Sequence, residues 1–203
     1  MLLALTPISL WAAAPAPDAI ALIATLGRPA PSSTPFAEAR FMRVLDQPLI
    51  VSGELSWLGG DTLRRRVDAP RKETSTIANG EVTLEREGKS PRTFSLQRAP
   101  QLKVLLDSFV ALLGGDASRL GDAFVVDLKR QGTQWTITLT PGDAKVARQI
   151  GRIVVNGAGN EPRCMHMEES DGDVAIDLLG ALAAQMPAAP TREGWLALCT
   201  AAP

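Results

Sequence analysis

The chain has 203 residues, with one histidine, two cysteines and no tyrosine, so few side-chain arrangements could carry covalent chemistry. His166 lies in the run MHME, two positions after Cys164. Residues two apart on a strand share a face, which makes this pair the one place where a nucleophile could meet a base. A Cys–His site also needs a group that orients the imidazole, and the sequence displays none; no Gly-x-Ser-x-Gly elbow offers a serine instead. Zinc takes three or four protein ligands, and neither Cys164 nor His166 has a Cys-x-x-Cys or His-x-x-x-His companion. The imidazole reads as a side chain on an exposed or half-exposed strand face. Glu168, Glu169, Asp171, Asp173 and Asp177 form an acidic run without the twelve-residue ligand spacing of a calcium loop, and it reads as a solvated hairpin tip. Neither Gly-Gly-Asp tripeptide leads into Lys-Ser or Lys-Thr, so no phosphate-cradling loop is present. No catalytic residue, metal or cofactor is expected.

Charge excludes a further class. A net charge of -1 and a pI near 5.9 do not suit nucleic acid, which needs a basic stripe. The densest basic cluster, Arg64-Arg65-Arg66, points alternately to opposite faces if it lies on a strand. Cys164 and Cys199 have two open readings, a disulfide in an oxidising compartment or two buried free thiols. A bridge closing a loop of that length would contribute up to roughly 4 kcal/mol on the chain-entropy model.

The elements that must position these residues are mostly strands. Leu49, Val51, Gly53, Leu55 and Trp57 alternate with Ser52, Glu54 and Ser56, the pattern of a half-buried antiparallel strand. Strands at 63–67, 73–77, 82–84 and 93–96 follow, with Asn79-Gly80 as a hairpin turn. Residues 101–113 switch to helical spacing through Leu102, Leu105, Leu106, Phe109, Leu112 and Leu113, and Gly114-Gly115 ends that helix. An earlier helix runs from a cap at Asp18 to Gly27. Phe124, Val126 and Leu128 alternate, as do Trp135, Ile137 and Leu139; strands at 153–155, 164–169 and 174–178 come next, then a helical piece at 178–186, a Pro/Ala linker and a closing segment at 195–199. The first fourteen residues, MLLALTPISLWAAA, are apolar and uncharged, too short to span a bilayer, and end in a small-residue run. They read as an export signal without a basic start; an N-terminal core helix or a membrane-associated anchor is the other reading. Residues 15–203 read as one domain.

Two stretches carry a family resemblance. Phe36-Ala37-Glu38, followed across Asp46-Gln47-Pro48 by Ser52-Gly53-Glu54-Leu55, resembles the opening of the outer-membrane lipoprotein carrier (LolA-like) family, over about residues 34–180. The phrases PLIVSGELSW and LLGGDASRL and the Asp171-Gly172-Asp173 hairpin resemble a divergent subgroup, some of whose members serve aryl-polyene or glycolipid export. The resemblance also tips the locally ambiguous FAEARFMRV to strand. It implies an α+β fold: a curved, half-open antiparallel β-barrel whose helices, at 19–26 and 102–113, cover the concave face. It implies a periplasmic monomer that carries lipoprotein acyl chains, or another lipid-like cargo, from an inner-membrane exporter to an outer-membrane acceptor. The lipid-binding set expected from alternation and this fold is Leu55, Trp57, Val82, Leu84, Leu105, Phe109, Leu112, Val126, Trp135 and Ile137. The family's lid is latched by an Arg shortly after the Gly-Glu-Leu strand; counted from Gly53 that position is Gly59 here, so the latch is absent or relocated. An ordinary closed core is the alternative to a cavity, and a non-catalytic scaffold or chaperone for a protein partner in an envelope export system is the alternative to a carrier.

Overall fold

The computed structural model describes residues 17–98, 100–120, 123–187 and 189–201, apart from the side chains at 17, 100–102, 104 and 105. The apolar segment 1–14 and the side chain of Leu105 therefore lie outside the described residues. A first meander comprises β1 (Ser32–Phe41), β2 (Leu49–Gly59), β3 (Thr62–Ala69), β4 (Glu73–Ala78), β5 (Glu81–Arg86) and β6 (Arg92–Ser95). A second comprises β7 (Phe124–Gln131), β8 (Gln134–Pro141), β9 (Ile150–Ala158), β10 (Glu161–Glu169) and β11 (Val174–Leu179). Pairing of β1 with β11, from Phe36↔Leu179 to Phe41↔Val174, joins the two into one antiparallel sheet of 11 strands that does not close. The α+β class and the half-open, helix-covered sheet agree with the sequence expectation.

Period-two alternation gives the sheet two chemically distinct faces. On the outer face Ala37, Ala39, Ile176 and Leu178 pack with Trp195 and Leu182, and the Cys164–Cys199 disulfide ties β10 to the helix α4 (Arg192–Thr200). Thr191 caps α4 by accepting from Gly194 N at 3.1 Å. The inner face carries the helices α1 (Pro17–Leu26) and α2 (Pro100–Gly114). Both cover its β7–β9 part: Ala19, Leu22, Ile23 and Leu26 of α1 and Leu112 of α2 share one core with Phe124, Val126, Trp135, Ile137, Leu139 and Ile153.

The glycines that stop these two helices are one contact. A Cβ on Gly27 would lie 3.2 Å from the Gly114 oxygen and the Gly115 Cα, and Arg28 N donates to Leu113 O at 2.9 Å. Gly115 takes a φ of +70°, which glycine adopts without penalty, so the chain leaves α2 as it crosses α1.

Local boundaries differ from the sequence reading in three places. The strand expected at 153–155 spans Ile150–Ala158, because Gly151 and Gly157 interrupt its apolar pattern without ending its pairing to β8 and β10. β11 runs on to Leu179, and the following Gly180–Gln185 is a 3-10 turn rather than a helix that starts at 178. Asp18 lies in the first turn of α1 behind Pro17, a residue well suited to the first helical position because it needs no partner for a backbone N–H.

Candidate functional site

On the β1–β5 side, the inner face is not filled. A cavity of about 930 Å³ lies between the sheet and α2, lined by residues of β1 to β6, β10, β11 and α2. Its apolar end is built from Leu63, Ile77, Val82, Leu106 and Phe109, three of which are buried together in one cluster. Its rim at the strand ends includes Leu49, Pro70 and Arg71. Beside that rim, in the turn from β1 to β2, Val44 and Leu45 are exposed.

Gly53 sets the curvature that makes this hollow. β2 changes register on β3 between Ser52 and Gly53. A Cβ at Gly53 would stand 1.8 Å from the Arg66 carbonyl oxygen, so only glycine permits the approach. The bend brings Arg65 of β3 back over β1, where its guanidinium stacks 4.6 Å from the centre of the Phe36 ring and Nη2 donates to Glu38 Oε2 at 2.6 Å. The expected alternation of the arginine triplet holds: Arg65 faces the cavity, whereas Arg66 turns outward to Asp68 and Glu54.

The cavity wall also carries a carboxyl pair. Glu38 and Asp177 are cross-strand partners on β1 and β11. Burial first, and the Glu38 charge second, push the Asp177 carboxyl well above the ordinary carboxylate range, against the opposing pull of Arg65 and Arg40. Asp177 is thus not part of a solvated hairpin tip. Asp173 is not either: it is buried and accepts from Arg43 N at 3.0 Å, anchoring the β1–β2 turn.

The expected lipid-binding residues divide. Leu55, Val82, Leu84 and Phe109 line the cavity. Val126, Trp135 and Ile137 share its face but lie in the closed core beneath the helices, together with Leu112 of α2, with no share of the hollow. Trp57 packs with the cluster at the apolar end, faces Gly114 of α2, and donates Nε1 to Gly60 O at 3.0 Å. Sequence reasoning gave Glu38, Arg40, Arg65 and Asp177 no place in the site. The signal was present in two forms: a lone Asp in the otherwise apolar VAIDLL, and a Glu two positions from Phe36 on the same face.

His166 is on the other side of the sheet. Its side chain is only 12% exposed, more buried than expected, and Nε2 lies 3.8 Å from Glu168, which is itself held by Arg152 at 2.8 and 2.9 Å. Burial lowers the imidazole's pKa, with Glu168 opposing. Its neighbour on that face, Cys164, is bonded to Cys199 and has no thiol to activate. Among the described residues, no group of three His, Cys, Asp or Glu is placed to hold a metal, and no helix is long and apolar enough to cross a membrane.

A family model described as "Outer membrane lipoprotein carrier protein LolA-like" matches residues 11–202. The chain belongs to the LolA-like family. The match extends on both sides of the 34–180 span that carries the sequence resemblance. The LolA-like fold is generally a non-enzymatic carrier or binding fold of the bacterial envelope, typically holding hydrophobic ligands or partners. A search of curated proteins finds no match. Solved structures similar to this chain include a LolA superfamily protein, NE2245, from Nitrosomonas europaea, at 10% identity over 80% of this chain and 90% of that one, with a TM-score of 0.41. LprF from Mycobacterium bovis is similar at 12% identity over 88% and 99%, with a TM-score of 0.36. A MucA/MucB complex from Pseudomonas aeruginosa gives 11% identity over 88% and 60%, with a TM-score of 0.39. In this LolA-like chain the position of the family's latch is Gly59; the β2–β3 turn is tied to the 3-10 turn that follows α2, where Arg119 Nη1 donates to Asp61 Oδ1 at 2.6 Å, and Trp57 at the end of β2 faces Gly114 of α2.

Proposed function

We propose that this protein is a non-catalytic periplasmic carrier that holds the acyl part of a lipoprotein or another lipid-like cargo between inner and outer membrane. The observation that carries the reading is the unfilled hollow of about 930 Å³ on an inner face that is elsewhere packed solid by α1 and α2. A domain that needed only stability would fill such a space, because each missing contact is lost dispersion and burial. An acyl chain supplies what the side chains do not, at about 0.8 kcal/mol per buried methylene, against the cost of immobilising it. The volume lies at the upper end of the roughly 300–1,000 Å³ typical of ligand pockets.

In this reading the segment 1–14 is an export signal, residues 15–203 work as one monomeric domain, and loading and unloading involve an inner-membrane exporter and an outer-membrane acceptor. The site residues are the cavity-lining Leu55, Val82, Leu84 and Phe109, with Ile77, Leu63 and Leu106 beside them. No acid–base group on the outer face takes part. The test is a transfer assay: donor vesicles carrying a self-quenched acyl fluorophore are mixed with acceptor vesicles and the purified protein. A carrier speeds transfer in proportion to its concentration, and His166→Ala transfers as well as wild type. Transfer no faster than the spontaneous rate, with a protein partner recovered from the envelope instead, would favour a scaffold.

A further inference from the structure

The cavity wall carries more charge than an acyl chain can use, and the charge is unevenly placed. Four guanidinium groups line it, those of Arg40, Arg65, Arg71 and Arg86. Three carboxyls accompany them, those of Glu38, Glu73 and Asp177, so a chain of net charge -1 sets more guanidinium than carboxyl inside its own cavity. Two of the cations are committed: Arg65 to Glu38 at 2.6 Å and Arg86 to Glu73 at 2.5 Å. The other two are held less closely. Arg40 is paired to Glu38 only at 3.5 Å, and its Nε has no acceptor, a condition native proteins seldom keep. Arg71 has no ion-pair partner among the described residues.

Strand direction sorts these groups from the apolar ones. β1, β3 and β5 run the same way, so Arg40, Arg71 and Arg86 gather at one end of the sheet, at or just beyond the strands' C-terminal ends. Leu63 and Val82, at the opposite ends of β3 and β5, close the other end of the cavity together with Leu106 and Phe109. The hollow is therefore polarised along its length, apolar at one end and cationic at the other.

We propose that the cavity takes an amphiphile with an anionic head of the phosphate or carboxylate type, its tail among Leu63, Val82, Leu106 and Phe109 and its head against Arg40 and Arg71. The assignment rests on the carrier reading and narrows it from any hydrophobic cargo to an acidic one. An oxyanion at this end meets Arg71, which has no ion-pair partner among the described residues, and the exposed part of Arg40, and a planar guanidinium binds such a head through paired hydrogen bonds.

The test uses the full chain and three probes below their micellar concentrations: palmitoyl-lysophosphatidic acid, monopalmitoylglycerol with the same tail and no phosphate, and glycerol 3-phosphate with no tail. The lysophosphatidic acid should bind roughly ten-fold or more tightly than monopalmitoylglycerol, and the preference should shrink in about 0.5 M salt. The double variant Arg40→Gln, Arg71→Gln should lose most of that preference while binding monopalmitoylglycerol as before. Arg66→Gln, which faces outward, should change neither. Equal affinity for the two lipids overturns the head-group assignment and leaves the carrier reading standing. Glycerol 3-phosphate binding as tightly as the lysolipid overturns it in favour of a free-phosphate site. Parallel loss of both lipids in the double variant overturns it by making the two arginines structural. Failure of every probe removes the carrier reading as well.

Discussion

Ile77→Asp places a carboxylate where both cross-strand neighbours are apolar, Leu63 on β3 and Val82 on β5, facing Leu106 and Phe109 across the cavity. Ile77 is half-buried and packs on that cluster, so the effect of lost volume must be separated from the effect of charge. Ile77→Ala does this. It removes about three methylene equivalents, at most ~2.4 kcal/mol of contact if all of them touch the ligand. With the side chain shared between ligand and core, about half of that, roughly ten-fold in affinity, is expected. The Ile77→Asp variant loses the same contact and must also strip water from an unpaired carboxylate when the ligand enters, an effective penalty of several kcal/mol. Binding should therefore fall about a further hundred-fold. The assay is titration with an uncharged polyene fluorophore, so that repulsion of an anionic probe plays no part, with thermal melting of each variant to show that it is folded. Thr76→Asp is the control: the neighbouring residue on the outer face, opposite Arg64, should bind as wild type does. An Ile77→Asp variant that is folded and binds within a few-fold of the Ile77→Ala variant would refute the placement of the ligand.

The remaining predictions concern the frame. Asp177 has a raised folded-state pKa, so its contribution to stability is complete below the unfolded carboxylate pKa and disappears as pH climbs through the folded value; Asp177→Asn, which keeps a donor to Glu38, should gain on wild type in chemical denaturation as pH rises from 5 to 9. Glu168 has the opposite sign, being lowered by Arg152, so its stabilisation is lost on acidification, and Glu168→Gln should flatten the acid limb of the same profile. Gly53→Ala drives a Cβ into the Arg66 backbone and should cost ~3 kcal/mol, read as roughly 6–12 °C in Tm. Reducing the Cys164–Cys199 bridge, which spans 35 positions, should cost up to about 4 kcal/mol and lower Tm by roughly 10 °C in a melt with and without reductant.

Much of the sheet could be read from period-two patterns. SGEL, the Asn79-Gly80 turn and the Phe124–Leu128 alternation are local signals, and the strands formed where those signals stood. Two things were not local. The first is the β1–β11 pairing, which joins residues more than 130 positions apart and decides that Glu38 meets Asp177. No single-strand pattern contains that information. The second is which part of the inner face stays empty. Val126, Trp135 and Ile137 have the same alternation as Leu55, Val82 and Leu84, and only the crossing of α1 and α2 at Gly27 and Gly115 buries one set and leaves the other lining a cavity. Leu112 shows the consequence: a charge there would enter a closed core, and its first effect would be on folding rather than uptake.

The carrier account is tested most directly by native mass spectrometry, with solvent extraction, of the full-length protein gently isolated from the cell envelope of its own host, in parallel with Ile77→Asp. The account predicts a wild-type population heavier than the polypeptide by the mass of an acyl-containing amphiphile with an acidic head, and a variant that is folded but largely empty. Wild-type protein that is uniformly of apo mass, and that also refuses the uncharged fluorophore, would contradict it.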